Sequence, residues 1–204
     1  MIVIFDLDHT LMNSKKFKGK LPKIFGLSEK SFGNSRKKYF AKQPTLYSPL
    51  KHIKLRYESG EIGRKQLAVM ERKLKLLAND TNSYIFSDVG KLLKYLRKKR
   101  NYLILLSHGE KKWQKLKMEN LLIKRYFDKV IITDKRKTEV IESLKRKKDD
   151  ILIINDNSRE NEEMLKFLGR GQAILIRGIH SNDIKHNHKT YSLKQVTKII
   201  MNKF

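Results

Sequence analysis

Two aspartates and a threonine directly follow the first apolar segment of the chain. The run from Ile2 to Phe5 is followed by Asp6, and then by Asp8 and Thr10. A short apolar run bounded by polar residues predicts a buried strand, and open α/β sheets bind ligands at the carboxyl ends of their strands. Neighbouring carboxylates repel, so one can stay ionised while the other holds a proton. The pair suits a nucleophile and a general acid, with a simple Asx-type turn as the alternative.

Four further apolar runs also end in polar residues and predict strands. The segments between them place apolar residues at helical spacing, as in Val89, Leu92, Leu93 and Leu96. Strands that alternate with helices predict a parallel sheet with crossover helices, so the polar strand ends should gather at one edge and form a site. The runs are Leu103 to Leu106 before Ser107, Val130 to Thr133 before Asp134, Ile151 to Ile154 before Asn155 and Asp156, and Ala173 to Ile176 before Arg177.

The residues at these strand ends match four motifs of one family, in that family's order. The motifs are Asp-x-Asp-x-Thr after the first strand, a serine or threonine ending the next core strand, a lysine ahead of a helix, and an acid followed shortly by another. The matching residues are Asp6, Asp8 and Thr10, then Ser107, then Lys137 with Lys135 as a competitor, and then Asp156 with Glu160. Through them the chain resembles the haloacid dehalogenase-like (HAD) hydrolase superfamily, whose members are mostly phosphatases.

The resemblance covers the chain outside about residues 15–84 and implies a fold and a domain organisation. The implied fold is a Rossmann-like, doubly wound parallel α/β sheet, the HAD core, with an inserted α-helical cap of the C1 type. Residues 1–12 and 88–204 would form the core, and residues 13–87 the cap. Within the cap, the segments starting at Ser28, from Ser48 to Tyr57 and from Arg64 to Ala78 are predicted to be helical.

The resemblance also implies a role for each matched residue. Asp6 would attack the phosphorus and form an aspartyl-phosphate, and Asp8 would protonate the leaving oxygen and then deprotonate the attacking water. Thr10, Ser107 and Lys137 would bind the phosphoryl oxygens. In the family, transport ATPases carry threonine at the position of Asp8 and dehalogenases lack this aspartate, so Asp8 favours phosphatase or phosphomutase chemistry.

Magnesium is the cofactor that the resemblance implies. Mg²⁺ would bind Asp6, Asp156 and the backbone carbonyl of Asp8, and would neutralise charge between an anionic nucleophile and an anionic substrate. Glu160 would orient the metal-bound waters. Asn155 departs from the family pattern, which usually has glycine or aspartate at this position. If the metal relied on a carboxylate at position 155, its affinity would fall.

The composition predicts a cytoplasmic protein without disulfides. The 204 residues, 39 % of them apolar, suffice for one catalytic domain with an inserted module. Cysteine is absent, which excludes disulfide and thiolate chemistry. No stretch is long enough to span a bilayer, and the segment at Met1 is too short and lacks the charged start of a signal peptide, so no membrane partner is expected. The sequence does not specify the oligomeric state.

The net charge of +26 is the unusual feature of the composition. Clustered Lys and Arg bind nucleic-acid phosphates by releasing counterions, and such clusters occur at residues 94–100, 135–137 and 145–148. They lie mainly on predicted core helices, opposite the apolar stripes, where solvated charge is expected in any case. Abundant Lys, Ile and Asn also fit nucleotide bias in a genome. A nucleic-acid partner is therefore an alternative prediction.

The main functional prediction is a Mg²⁺-dependent phosphatase that hydrolyses a small phosphate monoester through an aspartyl-phosphate. One alternative is a phosphatase acting on nucleotides or nucleic-acid ends. Another is a catalytically silent HAD-like module that binds nucleic acid through its basic faces, although the complete motif set argues against lost chemistry. Hydrolysis and phosphoryl transfer to a second sugar begin with the same aspartyl-phosphate, so the motifs do not separate them.

Overall fold

The computed structural model describes residues 1–41, 46–145, 148–178 and 189–203, which contain the following elements. The strands are β1 (Ile2–Phe5), β2 (Tyr102–His108), β3 (Lys129–Thr133), β4 (Ile151–Asn155), β5 (Gln172–Ile176) and β6 (Thr190–Tyr191). The helices are α1 (Ser14–Lys18), α2 (Leu21–Ile24), α3 (Glu29–Phe40), α4 (Pro49–Glu58), α5 (Arg64–Asn79), α6 (Val89–Lys98), α7 (Lys111–Glu119), α8 (Lys137–Val140), α9 (Ser158–Leu168) and α10 (Leu193–Lys203). Short 3-10 helices lie at Asp80–Tyr84, Leu122–Tyr126 and Glu142–Leu144.

The strands form one parallel sheet in the order β3-β2-β1-β4-β5-β6. β1 lies between β2 and β4, with Ile2 opposite both Tyr102 and Ile151. Going along the chain, β2 and β3 lie on one side of β1, and β4, β5 and β6 lie on the other side. The direction in which successive strands are placed therefore reverses at β1. In open sheets of this kind, ligands bind at that point, outside the carboxyl ends of the strands. The edge beside β1 is where the predicted site residues lie in the sequence.

Helices cover both faces of the sheet, which explains why its strands are almost uniformly apolar. On one face, Ile2 and Ile4 belong to a buried cluster with Met164 and Leu168 of α9. The buried residues of α6 and α10 lie outside that cluster. These two helices contact each other and strands β2 and β5, and they cover the other face. The predicted Rossmann-like, doubly wound α/β fold is confirmed.

One predicted helix is broken in the structure. The spacing of Val140, Ile141 and Leu144 predicts a single helix, but α8 ends at Val140 and a separate 3-10 turn covers Glu142–Leu144. Ile141 between them has φ −103° and ψ 7°, outside the helical region. Thr138, Val140 and Ile141 are β-branched, which weakens the helix because their side chains lose rotamer freedom. Ile141 and Leu144 still reach the buried cluster.

The chain divides into two compact units. The core unit comprises residues 1–13, 85–108 and 122–204, and the helical unit comprises residues 14–84 and 109–121. The helical unit contains the helices predicted from the sequence: α3 begins after the N-cap Ser28, α4 after Ser48, and α5 at Arg64. Residues 109–121, which the sequence placed with the core, group with the helical unit. The assignment of residues 13–87 as a functional cap stays a prediction.

Across the described ranges, no helix combines the length and apolar character needed to cross a bilayer. The described lysines and arginines of the predicted basic clusters are exposed, as at Lys94 and Lys98 of α6, with the exception of Lys137, which is buried. Residues 146 and 147 of the 145–148 cluster lie outside the described residues.

Candidate active site

Asp6 lies at the carboxyl edge of the sheet, directly after β1. Its backbone N–H donates to the carbonyl of Ile154 at 3.1 Å, which extends the pairing of β1 with β4 by one residue. The chain then turns sharply: His9 adopts the left-handed region with φ 61°, and the N–H groups of Leu11 and Met12 both donate to the carbonyl of Leu7. This turn keeps Asp6 in the crevice, where the residue is only 8 % exposed.

Lys137 forms the central ion pair of the site. Its ammonium Nζ donates to Oδ1 of Asp6 at 2.7 Å and to Oε2 of Glu160 at 2.6 Å, and the lysine is buried. Burial alone would lower the pKa of Lys137, but the two carboxylates outweigh that effect and raise it. The lysine is therefore a fixed positive charge in contact with the predicted nucleophile.

The structure distinguishes Lys137 from its competitor Lys135. Lys135 is exposed, and its backbone N–H donates to Oγ1 of Thr133 at the end of β3. This turn directs the chain into α8, whose first residue is Lys137. The geometry therefore selects Lys137 as the lysine beside Asp6. Its role in binding phosphate stays a prediction.

Two carboxyls in the crevice resist ionisation in the metal-free protein. Burial raises the pKa of Asp6 to about 6, and the negative charges of Asp8 and Glu160 add to this while Lys137 opposes it. Burial also raises the pKa of Asp156 to about 7, with the charge of Asp6 as the next cause. A cation near both carboxylates would relieve this cost.

Three of the predicted site residues each have a buried oxygen atom without a hydrogen-bond partner: Oγ1 of Thr10, Oγ of Ser107 and Oδ2 of Asp156. Thr10 and Ser107 are fully buried and Asp156 is 3 % exposed. Buried polar atoms are nearly always paired, and an unpaired one is costly. All three belong to residues that the sequence predicted for the site. They are the groups that a bound phosphate and a bound metal ion would satisfy.

The donor set fits Mg²⁺. Asp6 and Asp156 supply carboxylate oxygens, the hard ligands that this ion prefers, and Oδ2 of Asp156 has no other partner. In the part of the chain that the structure describes, no group of three or more His, Cys, Asp or Glu residues could hold a metal ion. Magnesium sites often use only one or two protein carboxylates, with waters and substrate phosphate as further ligands. Asp6 and Asp156, with the backbone carbonyl of Asp8, would hold it.

Gly178 is a site residue that the sequence analysis did not select. A Cβ placed on Gly178 would lie 2.6 Å from Oδ2 and 2.8 Å from Cβ of Asp156. Real Cβ atoms do not approach other atoms so closely, so only glycine leaves room for the Asp156 carboxyl in this position. The sequence signal was a glycine shortly after β5, which is too common in loops to identify a site by itself.

We expect Gly178→Ala to weaken Mg²⁺ binding by about tenfold or more, because the added methyl group would displace the Asp156 side chain. Calorimetric titration of the protein with MgCl₂ measures the change. Gly90→Ala in α6 is the matched control, since an added Cβ there has nothing within 4 Å. Equal Mg²⁺ affinity in both variants would show that Asp156 does not depend on this clearance.

The remaining predicted residues also lie in the core unit. Asp8 is half-buried and near enough for its charge to raise the pKa of Asp6. Glu160, in the first turn of α9, accepts from Lys137 and also from Nδ2 of Asn155 at 3.1 Å. These bonds and the charge of Lys137 hold the pKa of Glu160 below its usual value although burial opposes this. The donor role of Asn155 was not predicted.

Comparisons with solved structures show the same architecture. A protein named as a haloacid dehalogenase-like hydrolase from Burkholderia xenovorans LB400 aligns with a TM-score of 0.76 at 16 % identity over 98 % of this chain and 96 % of its own. A predicted phosphatase from Clostridium acetobutylicum aligns at 0.58 and 19 % identity over 98 % of each chain. The HAD-hydrolase YfnB from Bacillus subtilis, bound to magnesium, aligns at 0.61 and 10 % identity over 98 % and 97 %. At these identities the likeness shows the fold alone.

Sequence comparison supplies the family. No curated protein matches the chain significantly, but the profile of the haloacid dehalogenase-like hydrolases matches residues 3–166. That span runs from the second residue of β1 through β4 and contains every predicted site residue from Asp6 to Glu160. Motif order, a doubly wound sheet and a profile match over most of the length agree, and the chain belongs to the haloacid dehalogenase-like hydrolase family.

Proposed function

We propose that this hydrolase is a Mg²⁺-dependent phosphatase that cleaves a small phosphate monoester through an aspartyl-phosphate on Asp6. The observation that carries the proposal is the buried contact of Asp6 with Lys137, at 2.7 Å, in the crevice beside β1. A carboxylate in contact with an ammonium, at the same sheet edge as the two buried hydroxyls of Thr10 and Ser107 that lack hydrogen-bond partners, can receive a phosphoryl group and stabilise its charge. The family profile supports this chemistry, and a protein of the same fold is named as a predicted phosphatase.

The proposed reaction has two displacements at phosphorus. A carboxylate oxygen of Asp6 forms a bond to phosphorus while the bond to the ester oxygen breaks, and Asp8 gives its proton to the leaving alcohol. Water then attacks the phosphorus of the aspartyl-phosphate and gives a proton to Asp8. The bond to Asp6 breaks, inorganic phosphate leaves, and both aspartates return to their starting states.

The other side chains bind and orient the phosphoryl group. As negative charge passes from Asp6 to the phosphoryl group, Lys137 can donate to a phosphoryl oxygen, while Glu160 keeps the ammonium in place. Thr10 and Ser107 supply hydroxyl donors, which satisfies their buried oxygens. A bound Mg²⁺ would add Lewis-acid neutralisation of charge between the carboxylates and the substrate.

The test is phosphate release from a panel of sugar phosphates, nucleotides and oligonucleotides phosphorylated at the 3′ or 5′ end, with MgCl₂ or with EDTA. Metal-dependent release of inorganic phosphate from a small ester is the expected result. Adding a second sugar and following its phosphorylation separates hydrolysis from transfer. If no ester in the panel turns over in MgCl₂, the proposal is wrong.

One observation favours nucleic-acid ends as a second candidate substrate. Helices α6 and α10 contact each other in the core unit, and their described residues include no Asp or Glu, whereas Lys91, Lys94, Lys194 and Lys198 are exposed on them. A surface with several cations and no acids attracts phosphate backbones. If this surface serves the substrate, oligonucleotide turnover exceeds that of small esters and falls steeply between 50 and 200 mM salt.

We expect the stabilisation by Mg²⁺ to grow with pH. The folded-state pKa values of Asp6 and Asp156, about 6 and about 7, lie above the value of 3.8 for a free aspartate. The folded metal-free protein therefore binds more protons than the unfolded chain between about pH 4 and 7, and these two groups make it less stable as pH rises through that window. Mg²⁺ binds only the ionised carboxylates, and its binding offsets the loss of folding stability that their ionisation causes.

Thermal denaturation in EDTA and in MgCl₂ measures this effect. At pH 8, Mg²⁺ at about 30 times its Kd should raise the Tm by about 4–8 °C, and the rise should be much smaller at pH 5. Asp156→Asn is the control, since it removes the group with the higher pKa and should flatten the pH dependence. A rise in Tm that is equal at pH 5 and pH 8 would contradict the assignment.

A further inference from the structure

Asn155 has a buried side-chain amide that donates hydrogen bonds to Glu160 and to the loop before α9, the helix that carries Glu160. Asn155 ends β4 and is 1 % exposed. Its Nδ2 donates to Oε2 of Glu160 at 3.1 Å and to the carbonyl of Asn157 at 3.4 Å. The Asn155 side chain therefore contacts the candidate active site as a hydrogen-bond donor.

The orientation of this amide follows from its neighbours. Both atoms that face Nδ2 are acceptors, a carboxylate oxygen and a carbonyl oxygen, so rotation of the amide by 180° would place three acceptors together. In the orientation that satisfies them, Oδ1 of Asn155 is buried without a partner. An unpaired buried oxygen is unfavourable for folding, so stability alone does not account for an asparagine here.

The bond from Asn155 continues into the catalytic centre. Oε2 of Glu160 accepts from both Asn155 and Lys137, and the same ammonium donates to Asp6. A second donor on the same oxygen restricts the movement of the Glu160 carboxylate more than Lys137 alone would. The position of the ammonium relative to Asp6 thus depends on Glu160, and the position of Glu160 depends on Asn155.

We infer that Asn155 is a positioning residue, which acts through Glu160 to hold the Lys137 ammonium against Asp6. The inference rests on the proposed function of that site, and it assigns Asn155 no direct contact with metal or substrate. An aspartate at 155 would lack the donor and repel Glu160, and an alanine would leave Glu160 with Lys137 as its partner. Asparagine is thus the neutral donor that this arrangement of acids requires.

Kinetics of Asn155→Ala and Asn155→Asp test the role. For both variants we expect kcat to fall about tenfold, with KM for the ester within about twofold of wild type, because no substrate contact is lost. The Mg²⁺ Kd of Asn155→Ala, from calorimetry, should change by less than about threefold, well below the effect of losing a metal contact. A tenfold weaker Kd, or Asn155→Asp with higher kcat and tighter Mg²⁺ binding, would make position 155 a metal position and overturn the inference.

A double-mutant cycle tests whether Asn155 acts through Glu160. If it does, Asn155→Ala has no further effect on kcat in a Glu160→Ala background, whereas independent roles give multiplied losses. Asn101→Ala is the control for removing a buried asparagine, since this residue lies just before the start of β2 and its side-chain amide donates to the carbonyl of Leu96. It should lower the Tm without changing kcat. Multiplied losses would refute the coupling.

A spectroscopic readout separates this inference from the proposed function. A buried ammonium held by two carboxylates exchanges its protons slowly, so the Nζ protons of Lys137 should give a resolved ¹H–¹⁵N signal. We expect the signal in wild type and in Asn101→Ala, and its loss in Asn155→Ala. This holds whether or not any ester turns over. An unchanged signal in Asn155→Ala overturns the positioning role even if the protein proves to be a phosphatase.

Discussion

Asp6→Asn should abolish phosphate release, lowering kcat by about 10⁴-fold or more, because the amide cannot form the aspartyl-phosphate. The substitution keeps the shape of the side chain and leaves Lys137 its bond to Glu160 at 2.6 Å. The loss should therefore come from chemistry with the fold intact. Phosphate release from the best ester of the panel, in MgCl₂, measures it. Residual turnover above about 1 % of wild type would exclude Asp6 as the nucleophile.

The same substitution should stabilise the metal-free protein at neutral pH. Burial raises the pKa of Asp6 to about 6, above 3.8 for a free aspartate. A carboxyl with a raised folded-state pKa favours folding less as pH rises, and at pH 7.5 its ionised form is a net cost. Asparagine carries no such charge, so the Tm in EDTA at pH 7.5 should rise.

Asp128→Asn is the matched control, and its Tm is expected to change in the opposite direction. Both oxygens of Asp128 accept from Arg97, and Oδ2 also accepts from the backbone of Leu103. Burial opposes these bonds, but the pKa of Asp128 is lowered overall. Its ionised form therefore supports folding above the unfolded-state pKa and that support is lost as pH falls. Removing it should lower the Tm at pH 7.5. A Tm that falls in both variants would show that the ionised Asp6 carboxylate does not destabilise the folded protein.

Most of the fold and the positions of the candidate site residues could be predicted from local sequence. Each of the strands β1 to β5 was an apolar run that ended in a polar residue, and in a parallel sheet those ends share one edge by necessity. The two-residue strand β6 (Thr190–Tyr191) has no such pattern and was not predicted. Asp6, Ser107 and Asp156 could therefore be placed together without knowing any distance. Lys137 could be placed only as one of two lysines near a helix start, since the choice depends on how the turn after β3 directs the chain.

The parts that could not be predicted depend on contacts between distant segments. The importance of Gly178 arises from its distance to Asp156, 22 residues earlier in the chain, and no local pattern shows such a clearance. Asn155 could be recognised as a departure from the family pattern, but its donor role requires the position of Glu160. The grouping of residues 109–121 with the helical unit likewise follows from packing, since α7 alone has the features of a core crossover helix.

Lys137→Met should destabilise the protein and nearly eliminate its activity, the second large effect that we expect. Methionine fills similar space but leaves Asp6 and Glu160 without their shared cation. Breaking a buried ion pair by removing one partner costs about 3–5 kcal/mol, because a buried charge is left uncompensated. The activity should fall by about 10²–10³-fold, the effect of removing one preorganised group that stabilises transition-state charge. Denaturant unfolding at pH 7.5 and the phosphate-release assay measure the two losses.

Lys135→Met provides the control, because Lys135 is two residues away and exposed. Its stability should stay within about 0.5 kcal/mol of wild type. A larger loss of activity in Lys135→Met than in Lys137→Met would reassign the third motif to Lys135.

The destabilisation of Lys137→Met should also depend on pH and on Asp6. Without the ammonium, the folded-state pKa values of Asp6 and Glu160 rise, so the penalty is fully present at pH 8 and shrinks as the carboxyls take up protons towards pH 5. In an Asp6→Asn background only the Glu160 carboxylate of the pair remains charged, so Lys137→Met should lower the free energy of unfolding by less. Equal losses in both backgrounds would mean that the two side chains are energetically independent. That result would remove the ion pair on which the proposed function rests.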